Sequence, residues 1–363
     1  MQKYKRIVVK VGTKVMTSKD RALDPARISD IAAQISSVKD KGVDVILVTS
    51  GAIGAGMSLL SMKKRPMDLA ELQATAAIGQ SHLMHLYSEC FKDRGYKVGQ
   101  ILLTQEDLND RKRYLNIKNT INALLKHRAV PIINENDTVA TDEIKCGDND
   151  RLSSLVADLC ESDALIILSD VDGLLDEEKN VIPLVGEITQ KVLKLGGKSH
   201  CDLGTGGMAT KIDAAKNVTK AGIECVIANG REKNILGRIV LLGEDVGTKF
   251  TSQAVKIMAK KRWIAFSSKP KGEIHVDDGA KEALSVKDKS LLASGILDVE
   301  GSFIRGDVVR IAGSDGKEFA RGVSNYSSGE ISKIKGRKTG QISEILGHKK
   351  DDEVVHKDKL VIL

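Results

Sequence analysis

Through the first two thirds of the chain, short runs of β-branched and apolar residues alternate with stretches whose apolar positions recur every three or four residues. Arg6–Val11 (RIVVKV) reads as a strand. Asp24-Pro25 then offers a helix cap followed by proline at the first helical position. Ile28, Ile31, Ala32 and Ile35 fall on one face of the helix that follows, which Lys41-Gly42 closes. A strand over Val43–Thr49, a glycine turn, more helix and a strand over Val98–Leu103 come next. Helix Leu115–Lys126 leads to strand Ala129–Ile133, and Leu152, Leu155, Val156 and Leu159 mark an amphipathic helix before strand Ala164–Leu168. Helix Ile212–Ala221 ends at Gly222, ahead of strand Ile223–Ala228. Continuous apolar strands separated by helices predict an α/β fold, a mainly parallel sheet with helices on both faces.

After about residue 255 the pattern changes. Lys256, Lys260, Lys261 and Arg262 cluster, and short segments with frequent glycine follow, among them the alternating run Asp307–Ile311. The expected organisation is a first domain over 1–255, a linker at 256–270, a small β-rich domain over 271–350 and a tail at 351–363. The 363 residues carry 56 Lys and Arg against 49 Asp and Glu, a net charge of +7. Residues 251–363 hold 21 basic and 16 acidic residues, so the second part is the denser in positive charge. This excess attracts anions but falls short of a polybasic character. Aromatics are 3% of the chain, which leaves few platforms for stacking bases.

Five cysteines without a CxxC pair read as free thiols in a reducing compartment. The amino-terminal apolar run is cut by Lys10 and is too short for a secretory signal. Val45–Met62 carries no charge, yet its three glycines and four Ser/Thr residues fit a buried strand, turn and helix better than a membrane span. The expectation is a cytoplasmic protein with no membrane segment.

Ligands of open α/β sheets bind beyond the carboxyl ends of the strands. Lys10 lies just inside the first strand, where a lysine either snorkels to the rim or meets an anion. Ser50-Gly51-Ala52-Ile53-Gly54-Ala55-Gly56 follows the second strand; its small residues either let backbone N–H groups approach an anion or permit tight packing. Asn134-Glu135-Asn136-Asp137 and Gly147-Asp148-Asn149-Asp150 would suit a substrate carrying both an ammonium and carboxylates. Asp150 taken alone reads first as a cap for the helix near Leu152. Gly204–Lys211 lacks the preceding strand of a dinucleotide fingerprint and the G-K-[ST] of a Walker loop, and reads as a glycine loop feeding the helix with Ile212. Lys211 in that helix's first turn opposes the macrodipole at a cost of a few tenths to ~1 kcal/mol, a sign that bound phosphate would reverse. No Ser-His-Asp order or zinc-ligand spacing appears. A carboxylate nucleophile, with its pKa near ~4.3, needs no general base at neutral pH. It needs cations to bring it against a triphosphate, and two lysines plus Mg²⁺ meet that need.

In order and spacing, Val9–Thr13, Val48–Ile53, Ile133–Asp137, Gly147–Asp150 and Gly204–Lys211 resemble the glutamate 5-kinase branch of the amino acid kinase family. Lys261–Ile264, Gly279-Ala280, Ser290–Leu292, Gly295-Ile296 and Gly306-Asp307 resemble the PUA domain appended to bacterial members. The resemblance implies ATP-dependent phosphorylation of the γ-carboxylate of L-glutamate, the first step of proline biosynthesis. It implies that Lys10 and Lys211 bind phosphate oxygens, with Asp150 holding them in position. Ser50, Gly51, Ala52, Asn134, Asp137, Asp148 and Asn149 would line the glutamate pocket. Lys10, Gly12, Ser169, Asp170, Thr205, Gly206, Gly207, Met208, Ala209, Thr210 and Lys211 would face ATP. Ser169 stands where the family carries threonine and keeps the hydroxyl. Dependence on Mg²⁺, a homo-oligomer (dimer or tetramer) and inhibition by proline are implied in the same way. The acyl phosphate product is labile, and a glutamyl phosphate reductase is the expected functional partner. Two other readings stand beside this one. A kinase of the same fold could act on aspartate or acetylglutamate, although the Asn and Asp clusters argue for a free ammonium. The chain could also bind RNA through the PUA-like part, against which its modest charge and few aromatics weigh.

Overall fold

In the computed structural model, residues 3–18, 22–140, 149–197, 207–252, 263–264, 270–349 and 351–363 are described. They belong to two units, Met1–Lys256 and Ile257–Leu363. Eight strands form the sheet of the first unit: β1 (Arg6–Val11), β2 (Asp44–Val48), β3 (Val98–Leu103), β4 (Val130–Glu135), β5 (Ala164–Ser169), β6 (Leu184–Val185), β7 (Glu224–Asn229) and β8 (Thr248–Phe250). Their order is β3-β4-β2-β1-β5-β7-β8-β6, parallel throughout except for the β7–β8 pair. β1 and β5 are apolar along nearly their whole length because both faces of the sheet are covered. Ile7, Val9, Val11, Val45, Leu47, Ile166 and Leu168 join Ile28, Ile31, Ile35, Leu83 and Tyr87 from the helices in one core.

Helix Pro25–Asp40 starts where the sequence places it, with the Asp24 side chain accepting from the N–H groups of Ala26 and Arg27. Two other helices begin earlier than their apolar periodicity suggests. Arg111–Lys126 is capped by Asp110, which accepts from the Arg113 N–H. Met208–Lys220 takes in Met208–Thr210, read from sequence as loop. In both, the first turn lacks the apolar spacing that marks the rest.

The helices Ala52–Leu59 and Leu69–Lys92 approach at glycine. A Cβ on Gly56 would lie 1.9 Å from the Thr75 carbonyl oxygen, and one on Gly79 would lie 1.8 Å from that of Ala52. Only glycine tolerates this approach, and it places the middle of the long helix against the turn after β2. Gly79→Ala is expected to cost roughly 1–3 kcal/mol through forced separation of the two helices. Urea unfolding checks this, and an unchanged midpoint would contradict the approach.

The second unit has a five-stranded sheet: β9 (Gly272–Val276), β10 (Ile296–Gly301), β11 (Val308–Ala312), β12 (Glu318–Val323) and β13 (Leu360–Ile362). Their order is β10-β9-β11-β12-β13, with β9–β11 the parallel pair. Ile274, Val309, Ile311, Ala320, Tyr326, Ile331 and Val355 fill its separate core.

Candidate active site

Lys10 sits at the carboxyl end of β1, the strand flanked by β2 and β5, so its side chain leaves the sheet at its centre. It does not snorkel to water. It is 6% exposed, and its Nζ lies 2.6 Å from Oδ1 of Asp150. Lys211, 5% exposed, brings its Nζ to 3.2 Å from the other oxygen, Oδ2. The Thr210 hydroxyl donates to the same Oδ2 at 2.8 Å. Asp150 is fully buried. Burial works to raise its carboxyl pKa, but Lys10 and Lys211 outweigh that and hold it down at about 2.

This arrangement corrects the capping expectation for Asp150. The residue lies within the first turn of helix Asn149–Leu159, and its carboxylate reaches across to β1 and to helix Met208–Lys220. The awkward cation in the first turn of that second helix is also explained. Its ammonium pairs with the Asp150 carboxylate, which Lys10 shares. The three buried groups therefore carry a formal surplus of one positive charge, a setting prepared for an incoming anion.

A second polar group lies beside the first. Asn149 Nδ2 reaches the Thr49 carbonyl oxygen at 2.6 Å, Asn134 Oδ1 at 2.8 Å and Ser50 Oγ at 3.0 Å. Asn134 in turn donates to Oε1 of Gln80 at 2.8 Å. Gly51, at φ +100°, and Ala52 begin the helix that follows β2. The positive φ is one that glycine adopts without strain. Asp137 is half-buried just past β4, and burial lifts its carboxyl pKa to about 6, with the Arg65 guanidinium pulling the other way.

On the other flank, Gly12 donates its N–H to the Leu168 carbonyl oxygen at 3.0 Å, tying the turn after β1 to the end of β5. Ser169 ends β5, and its hydroxyl reaches Asp170 at 3.3 Å. Burial works to raise the Asp170 pKa, but Lys14, paired with it at 3.0 Å, helps hold it below the usual range. Gly207 opens helix Met208–Lys220; its carbonyl accepts from Thr210 at 2.9 Å, and Ala209 lies in the same first turn.

The structure thus brings together Lys10, Asp150, Thr210 and Lys211, and beside them Ser50, Asn134 and Asn149. Asp148, Thr205 and Gly206 lie outside the described residues. Gln80 is the residue that sequence reasoning missed. Its signal is a polar side chain on the stripe Leu72, Ala76, Leu83 and Tyr87, where helical periodicity demands an apolar one.

The amino acid kinase family model matches residues 5–229, and the PUA domain model matches 272–346. Glutamate 5-kinase of Caldanaerobacter subterraneus subsp. tengcongensis is 49% identical over 99% of this chain and 98% of its own. The glutamate 5-kinase of Geobacter sulfurreducens is 46% identical over 100% of this chain and 99% of its own. Among solved structures, UMP kinase from Bacillus anthracis aligns at a TM-score of 0.47 and 17% identity, covering 69% of this chain and 97% of that one. That likeness is too loose to bear on substrate.

Proposed function

The chain belongs to the amino acid kinase family, with glutamate 5-kinases as its full-length relatives, and on that premise we propose how its own residues act. It is an ATP-dependent kinase of the γ-carboxylate of L-glutamate, working at the first step of proline biosynthesis. Lys10 and Lys211 are the phosphoryl-stabilising cations, and Asp150 is the buried carboxylate that keeps them on one point. The observation that carries this reading is the single carboxylate clasped by two buried ammoniums.

The γ-carboxylate of glutamate is ionised at neutral pH, so no group must take its proton. Its difficulty is repulsion from the triphosphate. Lys10 and Lys211 offset that repulsion and follow the charge that develops on the transferring phosphoryl group. Their ion pairs with Asp150 fix them before the substrates arrive, so little reorganisation remains for the reacting state. Ser50, Gly51, Ala52, Asn134, Asp137, Asp148 and Asn149 bind glutamate. Gly12, Ser169, Asp170 and the segment Thr205–Lys211 bind ATP.

Magnesium enters this reading on the nucleotide. Among the described residues no group of three His, Cys, Asp or Glu side chains is placed to hold an ion. Mg²⁺ commonly takes substrate phosphates with only one or two carboxylates. When bound it supplies neutralising charge to those phosphates.

Asp137 as partner of the substrate ammonium gives a pH signature. Its carboxyl must be ionised to attract the ammonium, and its pKa is raised to about 6. As pH falls through about 6, kcat/KM for glutamate should fall toward tenfold per pH unit while kcat/KM for ATP stays level. Asp150, at about 2, contributes nothing in that window. A flat glutamate profile from pH 7 to 5 would remove Asp137 from this role.

The PUA unit as a separate module and a homo-oligomer, dimer or tetramer, are further parts of the proposal. Leu59, Leu60, Met67 and Ile78 are exposed apolar side chains that an oligomer interface would cover. No helix among the described residues is long and apolar enough to cross a membrane, and a cytoplasmic location fits the chemistry. A glutamyl phosphate reductase as consumer of the product fits the lability of an acyl phosphate. ADP release measured with L-glutamate, aspartate and acetylglutamate tests the substrate assignment. Turnover with glutamate alone is expected, and preference for either other acid would overturn it. Binding of structured RNA by the full chain that weakens with salt, without glutamate-dependent ADP release, would favour the RNA reading.

A further inference from the structure

We propose that Gln80 is the positioning residue that makes the pocket read the ammonium of its substrate, acting through Asn134 and Asn149; this rests on glutamate as the substrate. An amide side chain has two ends of nearly equal shape, so only its hydrogen-bond partners decide which way it faces. Here the backbone decides. The Glu135 N–H can only donate, and it faces Asn134 Oδ1 at 2.9 Å. The Thr49 carbonyl can only accept, and it faces Asn149 Nδ2 at 2.6 Å. With both amides fixed, Asn149 Nδ2 meets Asn134 Oδ1, and Asn134 Nδ2 points away toward helix Leu69–Lys92. That N–H finds its acceptor in Gln80 Oε1 at 2.8 Å. Asn149 Oδ1 is left buried with no hydrogen-bond partner among the described residues, an unspent acceptor and the complement of an ammonium.

Gln80 extends this order of donors and acceptors through its oxygen, while its own Nε2 is buried with no hydrogen-bond partner among the described residues. Asn134 is 2% exposed and Gln80 9%, so water does not readily take over. The close approach of Gly79 to Ala52 pins the turn of helix that carries Gln80. Without the Gln80 oxygen, a buried Asn134 N–H would stand unpaired, at about 1–3 kcal/mol. Rotating the Asn134 amide relieves that cost but sets its NH₂ against that of Asn149. Asn149, still drawn to the Thr49 carbonyl, is then pushed aside by the facing NH₂, and the acceptor offered to the ammonium moves with it.

The test compares L-glutamate with glutarate, which keeps both carboxylates and lacks the ammonium. The full-length wild type, Gln80→Met and Gln80→Glu are measured, with KM for glutamate and for MgATP and Ki of glutarate against glutamate. Methionine fills the volume with no polar group, whereas glutamate at this position keeps an oxygen facing Asn134. Gln80→Met is expected to raise the glutamate KM about tenfold while the glutarate Ki and the MgATP KM move less than about twofold, the effect of one misoriented hydrogen-bonding group. Gln80→Glu is expected to retain the preference for glutamate. A parallel loss for glutamate and glutarate, or a Gln80→Glu variant that loses the preference as Gln80→Met does, overturns the proposal. Should Gln80→Met fail to fold, Gln80→Ala reads the same ratio. A wild type inactive on glutamate sinks the substrate assignment and this inference with it; an active wild type with an unchanged ratio in the variants sinks the inference alone.

Discussion

Lys211→Ala should lower kcat by about 10²–10³-fold while the KM for glutamate changes far less, the pattern of a group whose interaction grows in the transition state. The argument rests on where Lys211 is held. Its ammonium is buried against Asp150 Oδ2, in a setting where a charge is worth much more than in water. Removing it leaves Lys10 and Asp150 as a neutral pair, without the surplus charge that would meet the phosphoryl group. Asn149→Ala is expected to behave oppositely, raising the glutamate KM with less effect on kcat. Steady-state kinetics on both variants checks the division. Equal effects of both substitutions on both parameters would contradict it.

Asp150→Ala should damage stability as well as turnover. Two buried lysines would then face each other with no carboxylate between them. Breaking a buried ion pair by deleting one partner costs about 3–5 kcal/mol, because the remaining charge stays desolvated. Urea unfolding at pH 7 reads this loss directly. The same carboxylate gives a pH signature in the wild type. Its folded pKa, about 2, lies below its ordinary value of 3.8, so its stabilisation is present above about 4 and is lost as pH falls toward 2. A wild-type-like midpoint for Asp150→Ala would show that the three charges do not form a coupled unit.

How much of this was legible before folding differs from element to element. β1 keeps the bounds its apolar run suggests, since a buried parallel strand writes itself as a continuous apolar stretch, and the half-exposed edge strand β3 keeps its bounds as well. β6 and β8, two and three residues long, are too short to leave a pattern, and the antiparallel β7–β8 pairing was invisible for that reason. The start of helix Arg111–Lys126 was missed because its first turn is polar and its signal is the Asp110 cap. Lys10 and Lys211 announced themselves as cations in unfavourable places, one inside an apolar strand and one near a helix start. Their meeting at Asp150 could not be read locally, since 140 residues separate Lys10 from Asp150 and 61 more separate Asp150 from Lys211. Asp150 alone looked like a helix cap because aspartate at a helix start usually is one. Gln80 gave the weakest signal, one amide on an apolar stripe, and only the meeting of three segments gives it a purpose.

The central claim is that Lys10 and Lys211, joined through Asp150, converge on the phosphoryl group in flight. A crystal structure with L-glutamate, Mg²⁺ and a non-hydrolysable ATP analogue tests it most directly. The account predicts both ammoniums within hydrogen-bond reach of the γ-phosphate oxygens, with the Asp150 carboxylate still between the two side chains. Either lysine turned away from that phosphorus, with the substrates in place, would contradict it.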